Sequence, residues 1–149
     1  MACRFHARRT IEFADTDMAG IVHFSHFFRY MEAIEHEFFR SLGFLLHRHD
    51  DEGMLGWARV HAECDYSKPL SYANVLDIEL LVTEKTAKSL SYAFIFRKEE
   101  PAGSGLLHEV ARGRLKVVCV RKKHGEEKMR AVQIPSDIDR AIEVAPIAS

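Results

Sequence analysis

Phe27-Phe28-Arg29-Tyr30-Met31-Glu32-Ala33-Ile34-Glu35-His36-Glu37-Phe38-Phe39-Arg40-Ser41-Leu42-Gly43 is the stretch on which the architecture turns. Phe27, Phe28, Met31, Ile34, Phe38, Phe39 and Leu42 recur at spacings of one, three and four, which is one face of a helix. The spacing predicts a helix over residues 25–42. Ser25 is its expected N-cap, and Gly43 falls just past its end, where a left-handed residue closes a helix without a Cβ penalty. So many large side chains on one stripe need another layer to cover them. Glu35 projects toward the middle of the stripe, so it needs a partner, one source being a second subunit. Glu32 lies at the stripe's edge, where solvent or an interface would meet it.

Outward from this helix the period changes. Residues 56–66, 75–85, 88–98 and 106–121 alternate with a period near two and read as strands. Their breakers are Lys68-Pro69, Ser71 to Asn74, Thr86-Ala87 and Pro101-Ala102-Gly103-Ser104-Gly105. Upstream, residues 4–12 form an expected first strand. Residues 44–55 read as a loop, and Pro135-Ser136-Asp137 opens a short helix capped by Ser136 or Asp137. The order predicts an α+β domain in which a curled antiparallel sheet of about five strands wraps one long central helix. One helix cannot cover both faces of such a sheet, so dimerisation through the sheet is expected.

The totals bound the function. At 149 residues the chain fits a single domain, 1–149, able to bury about two-thirds of its unfolded surface. A net charge of −1 argues against a generic nucleic-acid or membrane-surface binder. No run approaches the roughly 18 apolar residues of a membrane span. Cys3, Cys64 and Cys119 are odd in number and far apart, which fits reduced thiols in the cytoplasm. His47 and His49 sit one residue apart in a polar loop, without a metal-binding helix motif or a cysteine pair. That loop reads as solvated, and no metal is expected.

Just before the helix stands Asp15-Thr16-Asp17-Met18-Ala19-Gly20-Ile21-Val22-His23-Phe24. It sets two carboxylates and a glycine beside the free N–H groups of a helix start. An aspartate there is able to activate water or attack a carbonyl, while the N–H groups receive an oxyanion. An aspartate in water has a pKa of about 3.9 and is a weak base at neutral pH, so its use depends on position and partial desolvation. The plainer reading of the same residues is a capped turn, with Asp15 holding loop N–H groups and Gly20 relieving the backbone.

Together with Tyr30-Met31-Glu32-Ala33 and Arg40-Ser41-Leu42-Gly43, this segment resembles the 4-hydroxybenzoyl-CoA thioesterase family, whose pattern is roughly D-x-D-x-x-G-x-V followed by an aromatic or histidine pair and an acidic helix residue. The agreement extends more weakly through the strands to about residue 135. The resemblance implies a hot-dog fold, a homodimer or homotetramer with active sites at a subunit interface, and hydrolysis of an acyl-CoA thioester without a cofactor. It implies that Asp17 is the catalytic carboxylate. Gly20, Val22, His23, Phe24, Phe27 and Glu32 become the oxyanion and substrate-binding set. Lys88 and Ser89 match a Lys-Ser that holds CoA phosphates in some members. Members often carry an aromatic residue at His23, a histidine at Phe24 and an arginine at Glu35, so this chain departs there. The other basic residues, Lys85, Arg121, Lys122, Lys123, Lys128 and Arg130, are solvated faces or further CoA contacts. The rival readings are a thioesterase for acyl carrier protein, a non-catalytic acyl-CoA-binding module and a dehydratase-like enzyme.

Overall fold

A computed structural model of the chain describes residues 1–146. The expected strands form, β4 (Val75–Lys85) with the ends expected and the others with shifted ends: β1 (Arg4–Thr10), β3 (Gly53–Tyr66), β5 (Ser89–Glu99) and β6 (Leu107–Lys122). The loop expected over 44–55 instead contains a short strand, β2 (Arg48–Asp50), which pairs with the start of β3. A two-residue strand, β7 (Arg130–Ala131), pairs with β6. The sheet therefore has seven strands rather than five, in the order β1-β4-β5-β6-β3-β2 with β7 beside β6, and every named pairing is antiparallel. The two short strands carry too few residues to show a period. The helix expected over 25–42 is α1 (His26–Ser41), and a short helix, α2 (Ser136–Ala141), follows near the end. Gly43 has φ +87°, the left-handed closure expected of it.

The alternation of β4 and β5 explains the layering. Leu76, Ile78, Leu80 and Val82, with Leu90, Tyr92, Phe94 and Phe96, point to one face and are buried there. On α1, Phe27, Met31, Ile34, Phe38 and Phe39 are buried against that face. The helix approaches closely at β6, where a Cβ on Gly113 would lie 2.5 Å from the Met31 sulfur. The opposite face of β4 carries Asp77 and Glu79, which meet Arg4 and His6 of β1 and Arg97 of β5.

Glu35 is fully buried in this apolar layer. Its counter-charge is Arg59 of β3 in the same chain, whose guanidinium donates to Glu35 Oε1, while Oε2 is buried without a hydrogen-bond partner among the described residues. Burial pushes the Glu35 carboxyl up, and the Arg59 charge opposes that shift. The same guanidinium lies 3.8 Å from Glu32, whose side chain is 63% exposed.

The two long sheet edges differ. β1 puts Arg4, Arg8 and Arg9 on its edge, a charged pattern that discourages further pairing. β3 is covered by β2 only at residues 53–55, so its outer edge from 56 to 66 has no partner among the described residues. Val60 on that edge is 56% exposed.

Arg59→Leu is expected to cost about 3–5 kcal/mol of unfolding free energy, because it leaves Glu35 buried without a counter-charge. Arg59→Leu combined with Glu35→Leu should recover most of that loss. Urea titration of the three proteins checks both outcomes.

Candidate active site

The loop between β1 and α1 is a compact turn tied across its middle. The Asp17 N–H donates to Ile21 O at 2.8 Å, and the Gly20 N–H donates back to Asp17 O at 3.0 Å. Thr16 and Val22 bridge, and the His23 N–H donates to Asp15 O at 3.0 Å. Gly20 closes this turn at φ +80°, a conformation that a β-carbon would strain. The Ala19 N–H donates to Asp17 Oδ1 at 2.8 Å. One carboxylate oxygen is thereby anchored.

Asp17, Ile21, Val22, Phe24, Phe27, Tyr66, Ser67, Lys68, Pro69 and Leu70 line a cleft of about 370 Å³. Val22 and Phe27 are buried in its wall, and Phe24 is 63% exposed at its mouth. Phe27 meets Tyr66 edge-on with centroids 5.0 Å apart, and the Tyr66 hydroxyl donates to Phe24 O at 2.9 Å. Asp17 also borders a second recess with Phe13, Thr16, Met18 and Gly20.

Within the expected oxyanion and substrate-binding set, the amides of Val22 and His23, like that of Gly20, are occupied. Val22 N–H donates to Leu70 O at 2.8 Å, and His23 N–H is taken by Asp15. The Phe24 N–H has no acceptor among the described residues, and neither has that of Phe27 in the first helical turn. The amides left unpaired from Val22 to Phe27 are therefore those of Phe24 and Phe27 at the α1 start. Ser25 does not cap α1 with its side chain. Its hydroxyl lies 2.8 Å from His23 Nδ1, and its own N–H points to the same nitrogen at 3.3 Å. A backbone donor at Nδ1 favours the tautomer protonated at Nε2. His23 itself is not among the residues lining the cleft.

The remaining expected residues scatter. Glu32 stays on the surface beside Arg59, away from the cleft lining. Lys88 is exposed on the β4–β5 turn. Ser89 is 5% exposed, and its hydroxyl lies 2.6 Å from Thr86 Oγ1, so of that pair only Lys88 presents a free polar group. Lys85 donates to Asp139 O and Ile142 O at 2.9 Å, anchoring α2, and Arg121 forks onto Asp50. Both are structural rather than available to a phosphate. The α2 cap position is held by Pro135, not by Ser136 or Asp137. His47 and His49 stack at 5.2 Å, and no cluster of metal ligands occurs among the described residues.

Sequence reading missed Tyr66, Ser67, Lys68, Pro69 and Leu70 as cleft wall. Lys68-Pro69 had a signal only as a strand breaker. Burial holds the Cys64 and Cys119 thiols at about 11, which keeps them protonated and poor nucleophiles near neutral pH.

The profile of the thioesterase-like superfamily matches residues 11–142, spanning the loop, α1 and every strand but β1. A provisionally assigned esterase of Aquifex aeolicus (strain VF5) is 39% identical over 98 residues, covering 66% of this chain and 76% of the relative. The 4-hydroxybenzoyl-CoA thioesterase of Pseudomonas sp. (strain CBS-3) is 28% identical over 139 residues, covering 92% of this chain and 96% of the relative. The solved structure of 4-hydroxybenzoyl-CoA thioesterase from that strain superposes with a TM-score of 0.79 at 23% identity, covering 94% of this chain and 99% of the other. A curled antiparallel sheet around a helix, with that likeness, defines a hot-dog fold. The chain belongs to the thioesterase-like superfamily, and its activity class is thioester hydrolysis.

Ser25→Ala is expected to lower stability by less than about 0.5 kcal/mol, against about 1 kcal/mol for a working N-cap. Thermal unfolding followed by circular dichroism measures the difference.

Proposed function

We propose that this protein hydrolyses an acyl-CoA thioester to the free acid and CoA, with Asp17 as its catalytic carboxylate. The observation that carries the reading is the meeting of two groups on one cleft. Asp17 has one oxygen anchored by Ala19, and the Phe24 N–H is unspent. The acyl carbonyl sits over Phe24 and the α1 start, where free N–H groups and the positive end of the helix dipole favour a developing oxyanion. Asp17 then activates water or attacks directly to give a mixed anhydride that water opens. CoA thiolate leaves readily, so the step needs no strong general acid. Nothing in this chemistry calls for a metal or an organic cofactor.

Phe24, Phe27 and Tyr66 give the cleft an aromatic wall. That wall, and the likeness to a 4-hydroxybenzoyl-CoA thioesterase, favour an aromatic acyl group. Lys88 is the first residue to test for contact with a CoA phosphate. The working unit is a single hot-dog domain in a homodimer. The unpaired β3 edge at residues 56–66 supports this, because a second copy supplies the missing strand. No helix among the described residues is long and apolar enough to cross a membrane. The free thiols suit a cytoplasmic setting.

A thiol-release assay over a panel of aromatic and aliphatic acyl-CoAs tests the reaction. Asp17→Asn is expected to lower kcat about 10²–10⁴-fold with KM nearly unchanged. Equal turnover by both proteins would remove Asp17 from the mechanism. Tight acyl-CoA binding without thiol release would replace the enzyme by a binding module, and release only from carrier-protein thioesters would change the thiol.

Sedimentation velocity tests the assembly. At least twice the chain mass is expected for the parent. Val60→Lys, which places a charge on the open strand, should shift the population toward single chains. A parent sedimenting as one chain at micromolar concentration would end the dimer reading.

A further inference from the structure

Beneath the Asp17 turn lies a polar cluster that the proposed reaction does not use. Asp15 takes part in several contacts at once. Its Oδ2 accepts the Glu12 N–H at 3.1 Å, and its carbonyl accepts the His23 N–H at 3.0 Å. Its Oδ1 lies 3.8 Å from His26 Nε2, with both side chains about four-fifths buried at 19% and 21% exposure. Burial, reinforced by the Asp15 carboxylate, pushes the Tyr30 phenol up. The phenol falls outside hydrogen-bonding geometry, and both Tyr30 Oη and His26 Nδ1 are buried without a partner among the described residues. Three polar side chains thus converge where an apolar contact would have been cheaper.

Their placement gives them a use. The turn has an outgoing arm, residues 15–17, that carries the carboxylate. It has a returning arm, residues 21–24, that carries the free amide. The arms are tied to each other by the Thr16–Val22 bridge and by the Asp17–Ile21 and His23–Asp15 hydrogen bonds. Ties within the loop fix its shape, and the Val22–Leu70 and Tyr66–Phe24 hydrogen bonds with the Ile21–Ser71 bridge hold its returning arm to the end of β3 and the segment after it. On the outgoing arm, the Asp15 side chain meets the helix, with Oδ1 3.8 Å from His26 Nε2 at the start of α1. Tyr30 in turn meets Phe27 of the cleft wall, with ring centroids 6.1 Å apart. None of Asp15, His26 or Tyr30 lines the cleft, so their influence on chemistry would pass through Asp17 and Phe24.

We propose that Asp15, set between His26 and Tyr30, is a positioning residue that holds the Asp17 carboxylate in fixed relation to the Phe24 amide. The kinetic side of this inference rests on the thioesterase reading; the structural side does not. A displacement near 1 Å at a reacting group is worth about 10²-fold in rate, so a clasp outside the site has leverage over kcat.

A double-mutant cycle with Asp17 tests it. Asp15→Ala is expected to lower kcat about tenfold or more with KM within about twofold, whereas in the Asp17→Asn background it should lower the residual rate less than about twofold. Asp15→Asn keeps an acceptor for the Glu12 N–H but loses the charge facing His26, so an intermediate kcat is expected. Equal losses in both backgrounds, or a change in KM alone, would overturn the proposal. If Asp15→Ala does not fold, Asp15→Asn and Tyr30→Phe carry the same comparison. Amide hydrogen exchange gives a readout that needs no substrate. Asp15→Asn should speed exchange across residues 16–24 while leaving β4 and β5 protected. Should the parent release no thiol from any thioester, the thioesterase reading fails and the exchange result still decides the clasp. Unchanged exchange in the turn would refute it.

Discussion

Burial of one helical stripe against one sheet face is the constraint from which the rest of the molecule follows. Phe27, Met31, Ile34, Phe38 and Phe39 have nowhere else to go, and β4, β5 and β6 present the matching apolar face. Gly113 lets the helix come close enough for Met31 to fill the gap. Once α1 is seated, its N-terminus is fixed in space, and so is the loop that enters it. The proposed chemistry falls at that entrance, because a helix start is where backbone N–H groups remain unspent.

The same layering explains the polar features that look out of place. Glu35 lies in the buried stripe and survives because Arg59 reaches it from β3. Asp77 and Glu79 lie on the far sheet face under a cover of arginine and histidine side chains. Asp15 is largely buried beside His26, and it stays out of the cleft. Each is a carboxylate largely withdrawn from water with a basic side chain within 4 Å, as the cost of burying charge demands. Asp17 differs from them. One of its oxygens accepts a single backbone N–H, and it borders open space on two sides.

The long strands and α1 were legible in the sequence because each carries enough residues to display a period. β4 and the span of α1 follow their patterns within a residue at each end. β2 and β7 were not legible, being three and two residues long, and they exist because longer neighbours offer them an edge. Ser25 stands at the N-cap position as its residue type suggested, but its side chain makes no cap bond, because its hydroxyl and its amide both face His23. Lys85 and Arg121 looked like free cations, and each proved committed to a partner more than 50 residues away.

By itself, the sequence determined the class of fold, the segment that bears the carboxylate and the helix it leads into. These depend on local pattern, which a linear chain records. Only the tertiary structure decided which amides remain unspent, which cations are free, that residues 66–70 wall the cleft, and that Arg59 answers Glu35. Those facts depend on which distant groups compete for the same hydrogen bond or the same charge. Competition between groups far apart along the chain is settled by packing, and packing leaves no periodic trace in the order of residues.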